Sequence, residues 1–403
     1  RLWTARRTLY NPEHPSTQFS VGSLETLADR EDDPVREDLL AFYQRYYHAS
    51  RMGLSVVSRH SLDQLQAWVE DKFSAVRGEG EAYAPFAQAL VLEDALPVQL
   101  LLKPIKDVRK LTFSFPSESV FFMEDSKPAH YLSPLLGHEG EGSLLALLKS
   151  RSWANGLSAG MGYSDENQAM FDISISLSDK GAEHVDEIGR MLFAYIELLR
   201  KEGVKRFYFE ELKQLAEQDF RYQEKVDESE LARRLATRLH RYPAEEVLSA
   251  PFLVETFKPE RIERILEQLQ PSRLQLTITD PQLQSTEKTR WYDVQYEVGD
   301  IDASWLRSWN DPGLENGLAL PAPNPFIAQQ LELLPAVDDA GLPQRLDTAS
   351  GVQLWHQTEL DFGQPKAELY FTLRADTANT SPRHRLLTEL YVIAVKEALN
   401  TFS

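Results

Sequence analysis

The residues of this sequence best suited to chemistry stand in the stretch GHEGEGS at 137–143. His138, Glu139 and Glu141 have side chains that ligate metal ions in proteins. A zinc peptidase, however, needs two histidines one helical turn apart, as in H-E-x-x-H or H-x-x-E-H, so that both reach one ion. None of the nine histidines stands four residues from another. The sequence therefore predicts no zinc pair, and 137–143 either binds a metal with a distant ligand or forms a polar turn between two short helices.

Two other kinds of active site are disfavoured by the residue types. A phosphate-binding loop needs a lysine between Gly142 and Ser143, and the neighbouring glutamates would repel a phosphate. We predict no G-x-S-x-G nucleophile elbow, and local sequence marks no set of serine, histidine and aspartate for serine catalysis. The chain has no cysteine, which excludes a cysteine nucleophile, disulfides and thiolate ligands. These residue types therefore disfavour a phosphate loop, serine catalysis and cysteine catalysis.

The same region has a clear structural pattern, a helix followed by a strand. Ser143 is expected to cap a helix whose apolar face comes from the leucines of 144–148, and Trp153 to anchor that helix in a core. The small residues of NGLSAG at 155–160 would let another backbone approach closely. Such an edge can accept an extended peptide as an added strand. The alternative is a plain glycine-rich edge strand.

Length and composition indicate a globular protein of several domains. A chain of 403 residues, 42% of them hydrophobic and 26% charged, is expected to form two or three domains. Its net charge of −19 argues against binding to nucleic acid or anionic membranes, which need clustered basic residues. No run approaches the roughly 18 apolar residues of a membrane helix. The chain opens without Met and closes on a helix without a terminator, so we expect a piece of a longer chain.

Hydrophobic periodicity predicts both helices and strands. The clearest strand is MFDISISLS at 170–178, where Phe171, Ile173, Ile175 and Leu177 alternate with polar residues. Further strands are predicted at 52–58, 98–103, 111–116 and 274–279. Helices are predicted at 34–47, 62–76, 179–201, 206–225, 228–241 and 259–269.

An internal similarity suggests a repeated domain. ASRMGLSVVS at 49–58 and PSRLQLTITD at 271–280 share Ser-Arg, then a large apolar residue, then an alternating strand, and each follows a predicted helix. If the repeat is real, the chain carries the end of one α+β domain and then a whole copy of it. From 300 to 326, four prolines and two glycines predict an interdomain linker.

Several stretches resemble, in order, those of the pitrilysin and insulin-degrading-enzyme family of zinc metallopeptidases. GHEGEGSLLALLKSRSWANGLSAG at 137–160 resembles the family pattern G-H-E-G-x-G-S-L-L, L-K and W-x-N-x-L-x-x-G. HPSTQFSVGSLETL at 14–27 is similar to H-P-x-x-x-F-x-x-G-x-x-x-T-L. Matching stretches also lie at 36–58, 104–116, 241–262 and 323–328, so the resemblance covers nearly the whole chain.

The resemblance implies an α+β fold of repeated domains, each an antiparallel sheet packed with helices, as in inverzincins. It implies the carboxyl-terminal part of a first, catalytic domain at 1–80 and a second, non-catalytic domain at 86–299. The linker at 300–326 then leads to the start of a third domain at 327–403. The zinc ligands of the family would lie upstream of Arg1. The resemblance therefore places zinc in the full-length protein, and no metal, cofactor or catalytic residue in this chain.

The resemblance also implies a peptide-binding site away from the zinc. In the family, an exosite of the second domain pairs with the amino-terminal end of a substrate as an added strand. By motif match this exosite consists of Gly137, His138, Leu157, Ser158, Ala159 and Gly160. Glu141, Ser158 and Ala159 depart from the usual residues of the family, which concerns affinity and preference more than fold.

The function implied is that of an inactive fragment of a zinc metalloendopeptidase, which degrades peptides inside a closed chamber. This piece would anchor peptides and form chamber wall. The alternatives are a catalytically inactive homologous subunit, or a peptide-binding module, that works with a separate zinc-bearing partner. Expected partners are peptide substrates and the remaining domains of the polypeptide, with a homodimer left open and neither nucleic acid nor membrane. Family precedent favours a bacterial periplasm or the cytoplasm.

Overall fold

The computed structural model describes residues 2–30, 34–123, 125–333, 342–346, 348, 351–358 and 363–399. Two compact units are present, unit 1 at Arg1–Pro323 and unit 2 at Asn324–Thr401. The helices are α1 Leu2–Arg6, α2 Val35–Tyr46, α3 Leu62–Phe73, α4 Pro128–Leu136, α5 Leu144–Ser150, α6 Val185–Glu202, α7 Arg206–Arg221, α8 Glu228–Arg238, α9 Pro259–Gln268, α10 Ala303–Asn310 and α11 Pro382–Leu399. The strands are β1 Val98–Leu102, β2 Lys110–Glu118, β3 Ala154–Ser164, β4 Gln168–Leu177, β5 Gln275–Thr279, β6 Tyr296–Gly299, β7 Gln344–Leu346 and β8 Leu354–His356.

A six-stranded sheet organises unit 1, in the order β3-β4-β2-β5-β1-β6. All neighbouring strands are antiparallel except β1 and β5, which are parallel. The prediction of an α+β fold with a sheet packed by helices is confirmed, and the sheet is mixed, because one of its strand pairs is parallel. Parallel neighbours need a long crossover, and between β1 and β5 the chain runs through β2–β4 and helices α4–α9.

The core of unit 1 lies between one face of the sheet and a layer of helices. The alternation predicted for 170–178 is confirmed in β4, where Phe171, Ile173 and Ile175 are fully buried. Two further aromatic residues pack in this core: the indole of Trp309 stacks on the ring of Phe193, with centroids 5.7 Å apart. The indole N–H of Trp309 donates to the carbonyl of Asp186 over 3.0 Å. Truncating such a buried ring typically costs about 3–5 kcal/mol.

Trp309 also corrects part of the linker prediction. Residues 300–326 contain helix α10, capped by the Asp302 carboxylate, which accepts from the Ser304 N–H. Leu318 and Leu320 pack against the same core. The prolines and glycines therefore mark turns within a packed segment, because the apolar side chains of this segment pack against the core of unit 1.

Most predicted elements have the expected type, with two differences. The helix expected from 179 begins at Val185, because the short 3-10 turn Gly181–Glu183 precedes it. The expected strand at 52–58 joins no ladder among the described residues, although Met52 at its start has an extended backbone. The two similar segments nevertheless share local structure, since the 3-10 turns Ala49–Arg51 and Pro271–Arg273 precede extended chain in both.

Unit 2 has fewer described elements. Strands β7 and β8 form a two-stranded antiparallel sheet, and α11 follows. Many apolar side chains of α11, including Tyr391 and Ile393, are exposed. None of the helices described in either unit has both the length and the apolar character that a bilayer crossing requires.

Candidate functional site

Strand β3 carries four of the six predicted site residues and lies at one edge of the six-stranded sheet. Its one neighbour in the sheet is β4, with Leu157 opposite Ile175 and Ala159 opposite Ile173. The register shifts near Ala154–Gly156 and again after Met161, so the regular part of the ladder coincides with the predicted site. An edge strand presents unpaired N–H and C=O groups on its outer side, where another chain can pair.

The end of helix α4 lies beside this edge. The N–H of Gly137 donates to the carbonyl of Ser133 over 2.8 Å, which closes the helix. A Cβ atom on Gly137 would lie 3.7 Å from the amide nitrogen of Ala159, and one on Gly160 would lie 3.3 Å from Oγ of Ser133. The glycines at both positions therefore keep helix and strand close while leaving the groove between them open.

The groove between α4 and β3 is shallow and largely open, with a volume of about 480 Å³. Its lining residues are His130, Ser133, Pro134, Gly137, Leu157, Ser158, Ala159 and Leu212. Gly137 and three of the four β3 residues predicted from sequence thus share one concave surface. His138 and Gly160 adjoin it without lining it.

Four of the lining residues were missed by sequence reasoning. His130, Ser133 and Pro134 share one face of α4, and their spacing of three and four residues is the signal that could have found them. Leu212 comes from α7 and meets the groove only through tertiary packing. Together these residues make one wall of the groove, and β3 makes the other.

His138 does not form a metal centre with its two neighbouring glutamates. Its ring covers Gly140, where an added Cβ would lie 2.6 Å from Nε2 of the imidazole. Glu139 instead pairs with Lys149 over 3.5 Å. Across the part of the chain that the structure describes, no three histidine, aspartate or glutamate side chains are grouped so that they could hold a metal ion.

Burial makes both imidazoles near the groove harder to protonate. The pKa of His138 lies below its ordinary value because of burial, although the Glu139 carboxylate acts in the opposite direction. The pKa of His130 is lowered by burial and further by the positive charge of Lys127. The groove is therefore lined mainly by uncharged groups at neutral pH, which suits an uncharged peptide backbone.

The predicted helix cap is confirmed at the end of the glycine-rich loop. Oγ of Ser143 accepts from the N–H of Ala146 over 3.1 Å at the start of α5. Trp153, between α5 and β3, is 7% exposed and its ring stacks on His184 with centroids 4.2 Å apart. These contacts fix the path of the chain from the loop to the edge strand.

The sequence GLSAG at 156–160 also matches the pattern G-x-S-x-G, a match that sequence reasoning overlooked. A nucleophile elbow places its serine at a sharp turn from a strand into a helix. Ser158 instead lies inside β3, opposite Ser174. The geometry therefore gives Ser158 the place of an edge-strand residue.

Two polar contacts from the amino-terminal segment of the chain stabilise the β3–β4 hairpin. The guanidinium of Arg6 donates to both carboxylate oxygens of Asp172, over 3.0 and 3.1 Å. At the hairpin turn, Nε2 of the buried His14 lies 3.1 Å from Oδ2 of Asp165, and its Nδ1 accepts from the N–H of Ser16. Because the ring thereby caps the short helix at Pro15–Thr17, we assign it a structural role.

Comparison with known proteins identifies the class of protein. Residues 34–216 match the family description "Peptidase M16 inactive domain", and residues 220–403 match "Middle or third domain of peptidase_M16". The two matches are adjacent and belong to one family. The chain therefore belongs to the M16 peptidase family and carries its inactive domain and middle or third domain.

The relatives found by sequence are longer than this chain. Insulin-degrading enzyme from Homo sapiens is 34% identical over 409 residues, which are 100% of this chain and 40% of that protein. The enzyme of the same name from Drosophila melanogaster is 32% identical over 413 residues, 100% of this chain and 41% of that protein. A-factor-processing enzyme from Saccharomyces cerevisiae is 29% identical over 406 residues, 99% of this chain and 39% of that protein. The chain thus spans about two-fifths of the length of these relatives.

Solved structures share the fold. Pitrilysin matches 100% of this chain and 44% of its own chain with a TM-score of 0.83 at 24% identity. The periplasmic protease PqqL from Escherichia coli matches 88% of this chain and 38% of its own with a TM-score of 0.56 at 14% identity. At these identities the likeness shows the fold alone, and it agrees with the mixed α+β architecture described above.

Proposed function

We propose that this chain is the non-catalytic part of a zinc metalloendopeptidase that degrades peptides within a closed chamber, where it anchors the peptide and forms part of the wall. Membership of the M16 family supports the peptidase assignment, as do relatives named for degrading insulin. The observation that carries the anchoring role is the position of β3 at a sheet edge beside an open groove.

The zinc of the proposed whole enzyme would be held outside this chain. Zinc in peptidases takes three protein ligands, usually histidine or a carboxylate, and no such group is present among the residues that the structure describes. The described residues therefore do not provide a binding site for zinc. We propose that this chain instead binds and positions the peptide.

Strand addition is the binding mode that the edge favours. An extended peptide laid along 157–160 would exchange main-chain hydrogen bonds with β3, which grip any sequence. Leu157 and Leu212 offer apolar surface for one peptide side chain. Roughly four such bonds at about 1 kcal/mol each correspond to a dissociation constant of about 1 mM. The cost of ordering the peptide reduces this further, so a dissociation constant of about 1 mM or weaker is expected.

The test is binding of an extended peptide to the 403-residue chain. The probe is an octapeptide of alternating valine and threonine, labelled with fluorescein at its carboxyl end and followed by fluorescence anisotropy. We expect saturable binding that is lost in Gly137→Leu, because the new side chain fills the groove beside the amide of Ala159. The backbone of Gly137 has φ −89°, which a leucine can adopt.

The matched control is Gly299→Leu, at the opposite edge of the same sheet. Gly299 lies on β6, and nothing lies within 4 Å of the position that an added Cβ would take, so this variant should bind the probe as the wild type does. Equal loss in both variants, or no binding by the wild type, would rule out the proposed anchoring site.

A further inference from the structure

A segment at the carboxyl end of unit 1 is tied to the loop before α5 and to the turn before β3, which adjoin the proposed peptide site in sequence. We call residues 311–321 the strap; it follows α10 and leads toward the chain that enters unit 2 at Asn324. Leu318 and Leu320 pack against the core. The carbonyl of Pro321 accepts from the phenolic O–H of Tyr208 over 2.5 Å.

The first tie joins the strap to the glycine-rich loop. The N–H of Ala319 donates to the carbonyl of Gly142 over 2.9 Å. Gly142 has φ +83°, and an added Cβ would lie 3.0 Å from Cβ of Ala319 and 3.2 Å from its carbonyl oxygen. Only glycine combines this left-handed backbone with so close an approach. The loop that runs from Gly137 to the cap at Ser143 is therefore held by the strap at its far end.

The second tie joins the strap to the turn before β3. Glu315 is 11% exposed, and its carboxylate pairs with Arg151 over 2.5 Å and with Arg190 over 2.6 Å. Arg151 ends α5 and stands three residues before β3. Arg190 is anchored in α6 and also donates to the carbonyl of Pro312 over 3.0 Å. A buried carboxylate with two guanidinium partners fixes geometry strongly, because removing it would leave two charges uncompensated.

We propose that the strap, through Glu315 and the backbone of Ala319, positions the proposed peptide site. The loop that ends at Ser143 carries one strap contact, the turn before β3 carries the other, and no strap residue lines the groove. Glu315 and Gly142 are thus positioning residues. Because coupling between two sites is reciprocal, a bound peptide stabilises the contact of the strap with Gly142, and a loosened strap weakens peptide binding. The inference rests on the proposed anchoring function.

The test uses the 403-residue chain and the same valine–threonine octapeptide. In Glu315→Gln we expect the dissociation constant to rise roughly fivefold or more, which corresponds to about 1 kcal/mol of coupling. A milder variant, Tyr208→Phe, removes one bond at the end of the strap and keeps its ring, so a smaller increase in the same direction is expected. Glu230→Gln is the matched control, because Glu230 pairs with Arg233 on the exposed side of α8, away from the strap.

Hydrogen exchange separates positioning from general stability. We expect saturating peptide to slow exchange of the Ala319 amide while the amides of α8 keep their rates, and Glu315→Gln to speed exchange across 137–143. If the wild type binds the peptide but Glu315→Gln and Tyr208→Phe bind it equally well, and the Ala319 amide is unaffected by peptide, the positioning role is overturned while the anchoring site stands. If the wild type binds no peptide, the anchoring function itself fails and this inference fails with it.

Discussion

Replacement of Gly189 by alanine probes whether α10 is packed into unit 1 as closely as the structure describes. Gly189 lies within α6, and a Cβ there would lie 2.5 Å from Cζ2 and 2.7 Å from Nε1 of the Trp309 indole. Carbon atoms in contact are normally about 3.5–4.0 Å apart. The added methyl group therefore overlaps the ring by about 1 Å, and either the helix or the indole must move.

The two effects of this substitution oppose each other. Overpacking a filled core costs about 1–3 kcal/mol, whereas alanine in a helix interior is better than glycine by about 1 kcal/mol. We expect Gly189→Ala to lower the free energy of unfolding of unit 1, by up to about 2 kcal/mol. In a Trp309→Leu background the overlap is absent, so the same change should stabilise the protein by up to about 1 kcal/mol.

The assay is native-state hydrogen exchange of the amides of β4, which reports the opening free energy of the core of unit 1. The four proteins of the cycle are compared, with Gly78→Ala as control because nothing lies within 4 Å of a Cβ at that position. The reasoning is refuted if Gly189→Ala has the same sign with and without the Trp309 ring.

Three further outcomes are expected. First, burial lowers the pKa of His130 and His138 from the ordinary 6.5, so the unfolded chain binds protons more readily than the folded chain does. The free energy of unfolding should therefore fall as pH drops through 6.5. A variant with both histidines replaced by glutamine should show a weaker pH dependence in denaturant titrations at pH 5.5 and 7.5. Ser143→Ala removes the cap of α5 and should cost about 1 kcal/mol by the same titration, whereas Ser150→Ala at the other end of the helix should cost less. Added zinc should produce no chelator-sensitive cleavage of an internally quenched peptide by this chain, because the described residues contain no cluster of side chains able to bind a metal ion. Cleavage would contradict the assignment of this chain as a non-catalytic part. In that case His138→Ala would be the first variant to test.

Much of the local structure could be predicted from the sequence. The alternation of β4 and the cap at Ser143 each depend on residues within one or two turns of chain, so periodicity and side-chain chemistry suffice to indicate them. The same reasoning was incomplete for 300–326, where prolines and glycines predicted a linker: the boundary between the two units lies there, after Pro323, but α10 packs on the core of unit 1. Whether Trp309 is buried depends on a pocket formed by α6 and β2, which lie far away in the sequence.

For the candidate site too, some features could be predicted from the sequence and others depend on the tertiary structure. The sequence by itself determined that 155–160 is a strand of small residues able to lie at an edge, and that no pair of histidines stands at zinc spacing. Only the tertiary structure decided that this strand has a single neighbour, that α4 and Leu212 of α7 close a groove beside it, and that Glu315 ties the strap to Arg151. The physical reason is that a pattern along the chain records which face of an element is apolar, whereas the partner that covers or leaves open that face is fixed by long-range packing.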